Sequence, residues 1–392
     1  MIFCPTIGIK KGEKMINKRI CSIFCFIMTI AIPLSNGWAA NKVIRWNYHT
    51  SYDKSYYVGG SHIQHWADRV WEETNHQLKI NIFYSGGLGY KGTEIMSSLR
   101  DGLLQSAEFA ASLYGAEVNQ KWWSFNDFLS IYDNWDQLVA VDKAAYPMMW
   151  QDIIDFKGVK PLALFPCCPK DSFQGIWMDK KITKWSDFKG KKVRLWYAMA
   201  RKYVLDPLGF ETVYLSGPET YQGLKSGLID GIIQTPTSGL SGHYDEIAKY
   251  FYACIPVTVS WWGIICSQKA FDALPKDVQD GLERASKAHE KYLNESVWKN
   301  QCNYTPGPGG SPCCVKGVVD ELQKRGNEIY RVPLLESKLK EEAMAGMKQW
   351  VDAEGGPKAK KLYEVLLKAK EQYPNPDAAT YNTLNVLNIE GK

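Results

Sequence analysis

Lys189-Gly190-Lys191-Lys192-Val193-Arg194-Leu195-Trp196, followed some thirty residues on by Glu219-Thr220-Tyr221-Gln222-Gly223-Leu224-Lys225-Ser226-Gly227-Leu228-Ile229-Asp230-Gly231, is the stretch on which the fold turns. It reads as a short apolar strand carrying one arginine, then a helix ended by glycine, then a second short strand. Val193 and Leu195 share one face of the first strand, and Arg194 and Trp196 share the other. A guanidinium beside an indole at a strand end suits bidentate capture of a planar carboxylate, with the ring stacked alongside. An ion pair of Arg194 with Asp230 or Glu219 is the structural alternative, and spacing alone does not choose between the two. The stretch holds no evident catalytic group.

Upstream, residues 43–48 read as a strand. A helix capped by Ser61 follows, with Ile63, Trp66, Ala67, Val70 and Trp71 on one face, and residues 78–84 alternate as a second strand. This β-α-β start belongs to a sheet covered by helices. Gly86-Gly87-Leu88-Gly89 reads as a turn at a cleft edge, and the next helix should point Ile95, Met96, Leu99 and Leu103 inward. Strands are expected at 105–110, 159–165, 173–178, 211–214 and 231–234. Pro161, Pro166 and Pro169 punctuate a passage into a second lobe. The β-branched run 257–266 can return between lobes, and Pro275 opens a long helix.

The N-terminus reads as a secretory leader. Met15 starts it, Lys18 and Arg19 supply the basic region, residues 20–34 are apolar, and Gly37-Trp38-Ala39 marks a cut after Ala39. The apolar run is short for a membrane span, which needs roughly twenty residues. Removing residues 1–39 lowers the formal net charge from +5 to about +1. The basic character therefore belongs largely to the leader, and nucleic-acid binding loses its support. What remains is too long for one hydrophobic core and implies two lobes.

Beyond the leader stand Cys167, Cys168, Cys254, Cys266, Cys302, Cys313 and Cys314. Export permits disulfides. Cys302 faces Cys313-Cys314 across a Gly/Pro-rich loop, where a bridge from Cys302 to Cys313 or Cys314 is expected. Closing a loop of about a dozen residues stabilises by a few kcal/mol. The vicinal pairs lack the Cys-x-x-Cys spacing of redox sites. His62 and His65 lack a carboxylate or cysteine to complete a metal spacing, and read as exposed helix histidines. No nucleophile elbow, phosphate loop or dinucleotide fingerprint is present. The 15 tryptophans and 22 tyrosines suit a cleft that closes on a small organic ligand.

The order of these elements resembles the DctP-type solute-binding proteins of tripartite ATP-independent periplasmic (TRAP) transporters. The resemblance is carried by Phe188-Lys189-Gly190-Lys191-Lys192-Val193-Arg194, by Leu208-Gly209, and by Glu219 through Gly231. It continues in Tyr244-Asp245-Glu246-Ile247-Ala248-Lys249-Tyr250 and in Lys269-Ala270-Phe271-Asp272-Ala273-Leu274-Pro275, covering roughly residues 43 to 350.

The resemblance implies an α/β, two-lobe periplasmic solute-binding fold with crossing strands, a long connecting helix and a ligand cleft between the lobes. Lobe I would comprise 41–166 plus 257–285. Lobe II and the C-terminal helices would comprise 167–256 plus 286–392, with the 302–314 loop as an insertion. The resemblance assigns Arg194 to the ligand carboxylate, places Gln234 and Tyr114 at the cleft, and makes Tyr48 and Glu94 further candidates. Many relatives carry a second arginine or a glutamine where Phe173 stands here, with Gln174 beside it. A dicarboxylate would lose its second clamp. The expected ligand is a monocarboxylate with an apolar or aromatic body resting against Phe173, Trp196 and Trp261. Neither catalytic residues nor a metal or other cofactor is expected; the protein is expected in the periplasm, with the membrane permease subunits of a TRAP transporter as its partner. The alternatives are a sensory subunit of a membrane receptor and an exported enzyme acting on an aromatic acid.

Overall fold

The computed structural model describes residues 43–52, 54, 62–90, 92–166, 172–297, 315–376 and 379–389. Residues 1–39, expected to be a leader, Ser61, the expected cap of the first helix, Cys167, Cys168 and the 302–314 loop with its expected disulfide lie outside the described residues.

β1 (Ile44–His49) leads to α1 (His62–Glu73), whose buried Ile63, Trp66, Ala67 and Val70 recur at helical spacing. The chain returns in β2 (Leu78–Phe83), parallel to β1 from Ile44↔Leu78 to His49↔Phe83. β3 (Ser106–Ala110) is wholly buried. α2 (Trp135–Asp155) starts at Asn134, whose side chain accepts the Gln137 N–H at 2.9 Å, and it feeds β4 (Val159–Pro166). Leu103 does not point inward: the helix before it stops at Arg100, Gly102 takes φ +77°, and Leu103 is left 66% exposed.

The chain then crosses to a second sheet, forming β5 (Gln174–Met178), β6 (Lys192–Arg194) and β7 (Glu211–Val213). α3 (Gly217–Lys225) begins with a capping box, in which Ser216 and Glu219 bond each other's backbone N–H groups. β8 (Gly231–Gln234) and β9 (Tyr250–Ile255) follow. Residues 256–260 carry the chain back to β10 (Trp261–Ser267), and α4 (Lys276–Tyr292) packs on α1 and β4. β11 (Glu328–Arg331) and β12 (Asn385–Val386) complete the second sheet.

The first sheet has five strands in the order β2-β1-β3-β10-β4, and the second has seven in the order β12-β11-β9-β5-β8-β6-β7. β10 runs antiparallel to both β3 and β4. At Gly263 a side chain would drive into the Ala163 carbonyl of β4, so only glycine fits that close approach. Each sheet has its own helices, which gives the two-lobe α/β fold. The lobes are tied by α5 (Pro333–Trp350), which packs on β9, and by α6 (Gly356–Gln372), which packs on α2. Lys340 of α5 and Lys370 of α6 both pair with Asp133, at the start of α2.

The histidines of α1 are not exposed. His62 is 3% exposed, and its Nδ1 lies 3.2 Å from His289 Nε2 on α4. His65 Nδ1 lies 3.4 Å from the other ring nitrogen of His289. The three rings form a chain rather than converging on one point. Burial lowers all three pKa values, with His62 down to about 3. The sequence signal failed here because His289 is far away in the chain.

Candidate functional site

β6 is short because Val193 and Leu195 fill the core while the strand ends at the charged residue between them. Arg194 is 2% exposed. Its Nε and Nη2 donate to the Leu215 carbonyl at 2.9 and 2.8 Å, which fixes the guanidinium plane. The guanidinium carbon lies 5.5 Å from the centroid of Trp196, within cation–π range.

Neither proposed ion-pair partner reaches it. Asp230 accepts the Lys192 backbone N–H at 2.8 Å and faces Lys191, while Glu219 is committed to Ser216. Among the described residues no carboxylate stands within ion-pair distance of Arg194, and no other arginine and no lysine is buried. Burial lowers the Arg194 pKa, opposed by the phenols of Tyr244, Tyr52, Tyr214 and Tyr197. An arginine keeps its proton even so. A buried cation without an acid beside it is costly, and an incoming carboxylate would relieve that cost.

The phenols come from both lobes. Tyr197 and Tyr214 follow β6 and β7, and Tyr244 packs into the second apolar cluster. Tyr52 follows β1 of the first lobe, and its ring lies 4.8 Å from that of Trp262 on β10. Tyr214 lies 5.5 Å from Trp196 by ring centroids. Arg194 and Trp196 therefore sit where the carboxyl ends of strands from the two sheets meet. Gln234 ends β8, on the same face as Arg194, because Ile232 two residues earlier is its register partner. Its side-chain oxygen accepts the Thr235 N–H at 3.2 Å.

The other sequence candidates have different surroundings. Phe173 is fully buried in the second apolar cluster, 5.5 Å from the Tyr381 ring and 6.0 Å from that of Phe251. Gln174 points to the opposite face, and its buried Oε1 has no hydrogen-bond partner among the described residues. Trp261 donates to Asp142 at 2.7 Å and stacks on Phe125, inside the first lobe. Tyr48 packs against Trp66, and Tyr114 donates to the Glu108 carbonyl at 3.2 Å. Glu94 is exposed beyond the glycine turn. The structure brings Arg194, Trp196 and Gln234 to one sheet end, where Gly175 pairs with Gln234 and Phe173 lies just beyond, packed into the core, and it leaves Trp261 and Glu94 elsewhere.

Tyr52, Trp262, Tyr197, Tyr214 and Tyr244 were not singled out by sequence. Four of them follow or occupy strands, and three stand just past a carboxyl end, where ligands of open α/β sheets bind. That rule would have found Tyr52, Tyr197 and Tyr214.

Comparison with known proteins identifies the fold's relatives. The family described as bacterial extracellular solute-binding protein, family 7 (DctP) matches residues 50–305. The chain belongs to this family. The C4-dicarboxylate-binding periplasmic protein DctP of Rhodobacter capsulatus is 23% identical over 286 residues, covering 71% of this chain and 81% of that protein. The monocarboxylate 2-oxoacid-binding periplasmic protein of Nostoc is 24% identical over 284 residues, covering 64% and 68%. A Bordetella pertussis extracytoplasmic receptor, DctP7, which binds pyroglutamic acid, superposes with a TM-score of 0.68 at 19% identity, covering 83% of this chain and 100% of its own. This DctP-family chain is thus a solute-binding protein of the TRAP-transporter type rather than an enzyme. Among the described residues no helix is long and apolar enough to cross a membrane.

Proposed function

We propose that this receptor captures a monocarboxylate with a compact apolar or ring-shaped body and delivers it to a TRAP membrane permease. Arg194 is the clamp, Trp196 and Gln234 line its side of the cleft, and Tyr52 with Trp262 form the facing wall. The observation that carries this reading is that Arg194 is the one buried arginine or lysine among the described residues. One clamp matches one carboxylate; a second carboxylate in the cleft would be desolvated without a cation. Flat aromatic walls favour a planar or cyclic body. Support also comes from relatives: pyroglutamic acid is bound by the Bordetella receptors, and a 2-oxoacid monocarboxylate by the Nostoc protein.

In this reading residues 1–39 export the chain, and the lobes divide near residues 166 and 256, with the C-terminal helices spanning both. Closure of the lobes by a hinge buries the ion pair and strengthens it relative to a surface pair. The test is a thermal-shift panel of L-pyroglutamate, D-galacturonate, 2-oxoisovalerate, phenylpyruvate, succinate and L-malate. A monocarboxylate should stabilise most. Succinate or malate stabilising most would refute the single-clamp reading.

A further inference from the structure

Glu108 lies in the middle of β3 and is 2% exposed, among Ser106, Ala107, Phe109 and Ala110. Burial raises its pKa, opposed by the hydrogen bonds it accepts. Both carboxylate oxygens are used. Oε2 accepts the Thr50 hydroxyl at 2.6 Å, and Oε1 accepts the Ser51 N–H at 2.9 Å. Those two residues come immediately after β1.

The turn they make is held again from within and from the far side. Thr50 Oγ1 accepts the Tyr52 N–H at 3.2 Å. The Tyr52 carbonyl accepts the Ser85 N–H, and the Thr50 carbonyl accepts the Gly86 N–H, both at 2.9 Å. Gly86 can close this contact because it takes φ +72°, which a side chain would oppose. Everything in this bracket converges on one side chain, Tyr52, whose ring rests on Trp262 and whose phenol acts on Arg194.

The geometry points to Glu108 as a positioning residue that holds the turn at residues 50–52, so that Tyr52 faces Arg194 and sets the width of the acid site. This rests on the receptor reading above. A role in folding alone fits the location poorly, because a buried carboxylate in a β-strand adds less to stability than a well-packed apolar side chain of similar volume. The ligand body that fits is then decided from the first lobe, by a residue that touches neither the clamp nor the ligand.

The test uses the exported full chain and three variants: Glu108→Gln, Tyr52→Ala and the double variant. Glu108→Gln keeps the shape and one acceptor. Hydrogen exchange without ligand should quicken at the Ser51 and Tyr52 amides while those of Trp46 and Tyr48 keep their protection. Affinity for L-pyroglutamate, or for the panel monocarboxylate that stabilises most, should fall roughly tenfold. The double variant should bind no more weakly than Tyr52→Ala alone, since both changes remove the same wall. Unchanged exchange at Ser51 and Tyr52, faster exchange throughout β1 and β3, or additive losses in the double variant would overturn the assignment. If no panel acid binds the native protein, the receptor reading for monocarboxylates falls, and the exchange result alone decides whether Glu108 holds the turn.

Discussion

Replacing Arg194 by methionine should separate ligand capture from folding, because the two respond with opposite sign. Methionine follows the aliphatic stem and removes the charge. In the free protein the change ends the burial of an unpaired guanidinium, a relief of several kcal/mol. Against it stand the loss of two hydrogen bonds to the Leu215 carbonyl, about 1–3 kcal/mol, and of the contact with Trp196, about 0.5–1 kcal/mol. The unliganded variant should therefore melt no lower than the native protein. Ligand binding, in contrast, loses one partner of a buried charge pair, about 2–5 kcal/mol. That corresponds to roughly 30- to 5,000-fold in Kd. Differential scanning calorimetry without ligand and titration calorimetry with the best panel acid measure the two quantities. Full retention of affinity would refute the clamp. A melting temperature that falls in step with affinity would show Arg194 to be a structural cation instead.

The histidine chain predicts acid sensitivity. His62 and His289 are neutral in the folded state at pH values where the unfolded chain has already taken up protons. Stability should be full above about 6.5 and fall towards acid pH, by about 1.4 kcal/mol per pH unit for each fully buried ring. Urea midpoints at pH 7 and pH 5 for the native protein and for His289→Gln test this; a pH dependence left unchanged by the substitution would refute it. Asp142 works in the other direction. Burial, opposed by bonds from Trp261 and Tyr146, pushes its pKa up to about 7, so its protonated form favours the fold and stability is lost as the pH rises through that value. Asp142→Asn should therefore match the native protein only near pH 4, where both states are protonated, and exceed it in melting temperature at pH 8. Cys254 and Cys266 are buried free thiols with raised pKa values. In the native protein iodoacetamide should leave both unmodified by peptide mapping, and label them only once the chain unfolds.

The elements were largely legible from the chain because their signals are local. Alternation wrote β2, helical spacing wrote α1, and a glycine, Gly227 at φ +72°, wrote the end of α3. Arg194 was legible for the same reason, since the strand alternates it away from Val193 and Leu195. Less legible were two choices between neighbours on strands buried on both faces. Trp261 and Trp262 look alike in sequence, but the pleat sends the first to Asp142 and the second to Tyr52. Phe173 and Gln174 were likewise assigned without knowing which face meets the core. The His62–His289 contact and the Glu108–Thr50 bracket join residues 227 and 58 positions apart, and no window of sequence contains them.

The place of β10 between β3 and β4 has a consequence for how the molecule comes into being. Its partners are complete by Pro166, but β10 itself begins at Trp261. A ribosome must therefore deliver the intervening second-lobe segment before the first lobe can close. Until then β3 and β4 present unsatisfied edges, the kind of surface that pairs wrongly with other chains. The fold is in this sense a late-finishing one, with its longest-range contacts at the centre of its first sheet. A fragment ending near residue 166 should therefore aggregate rather than fold.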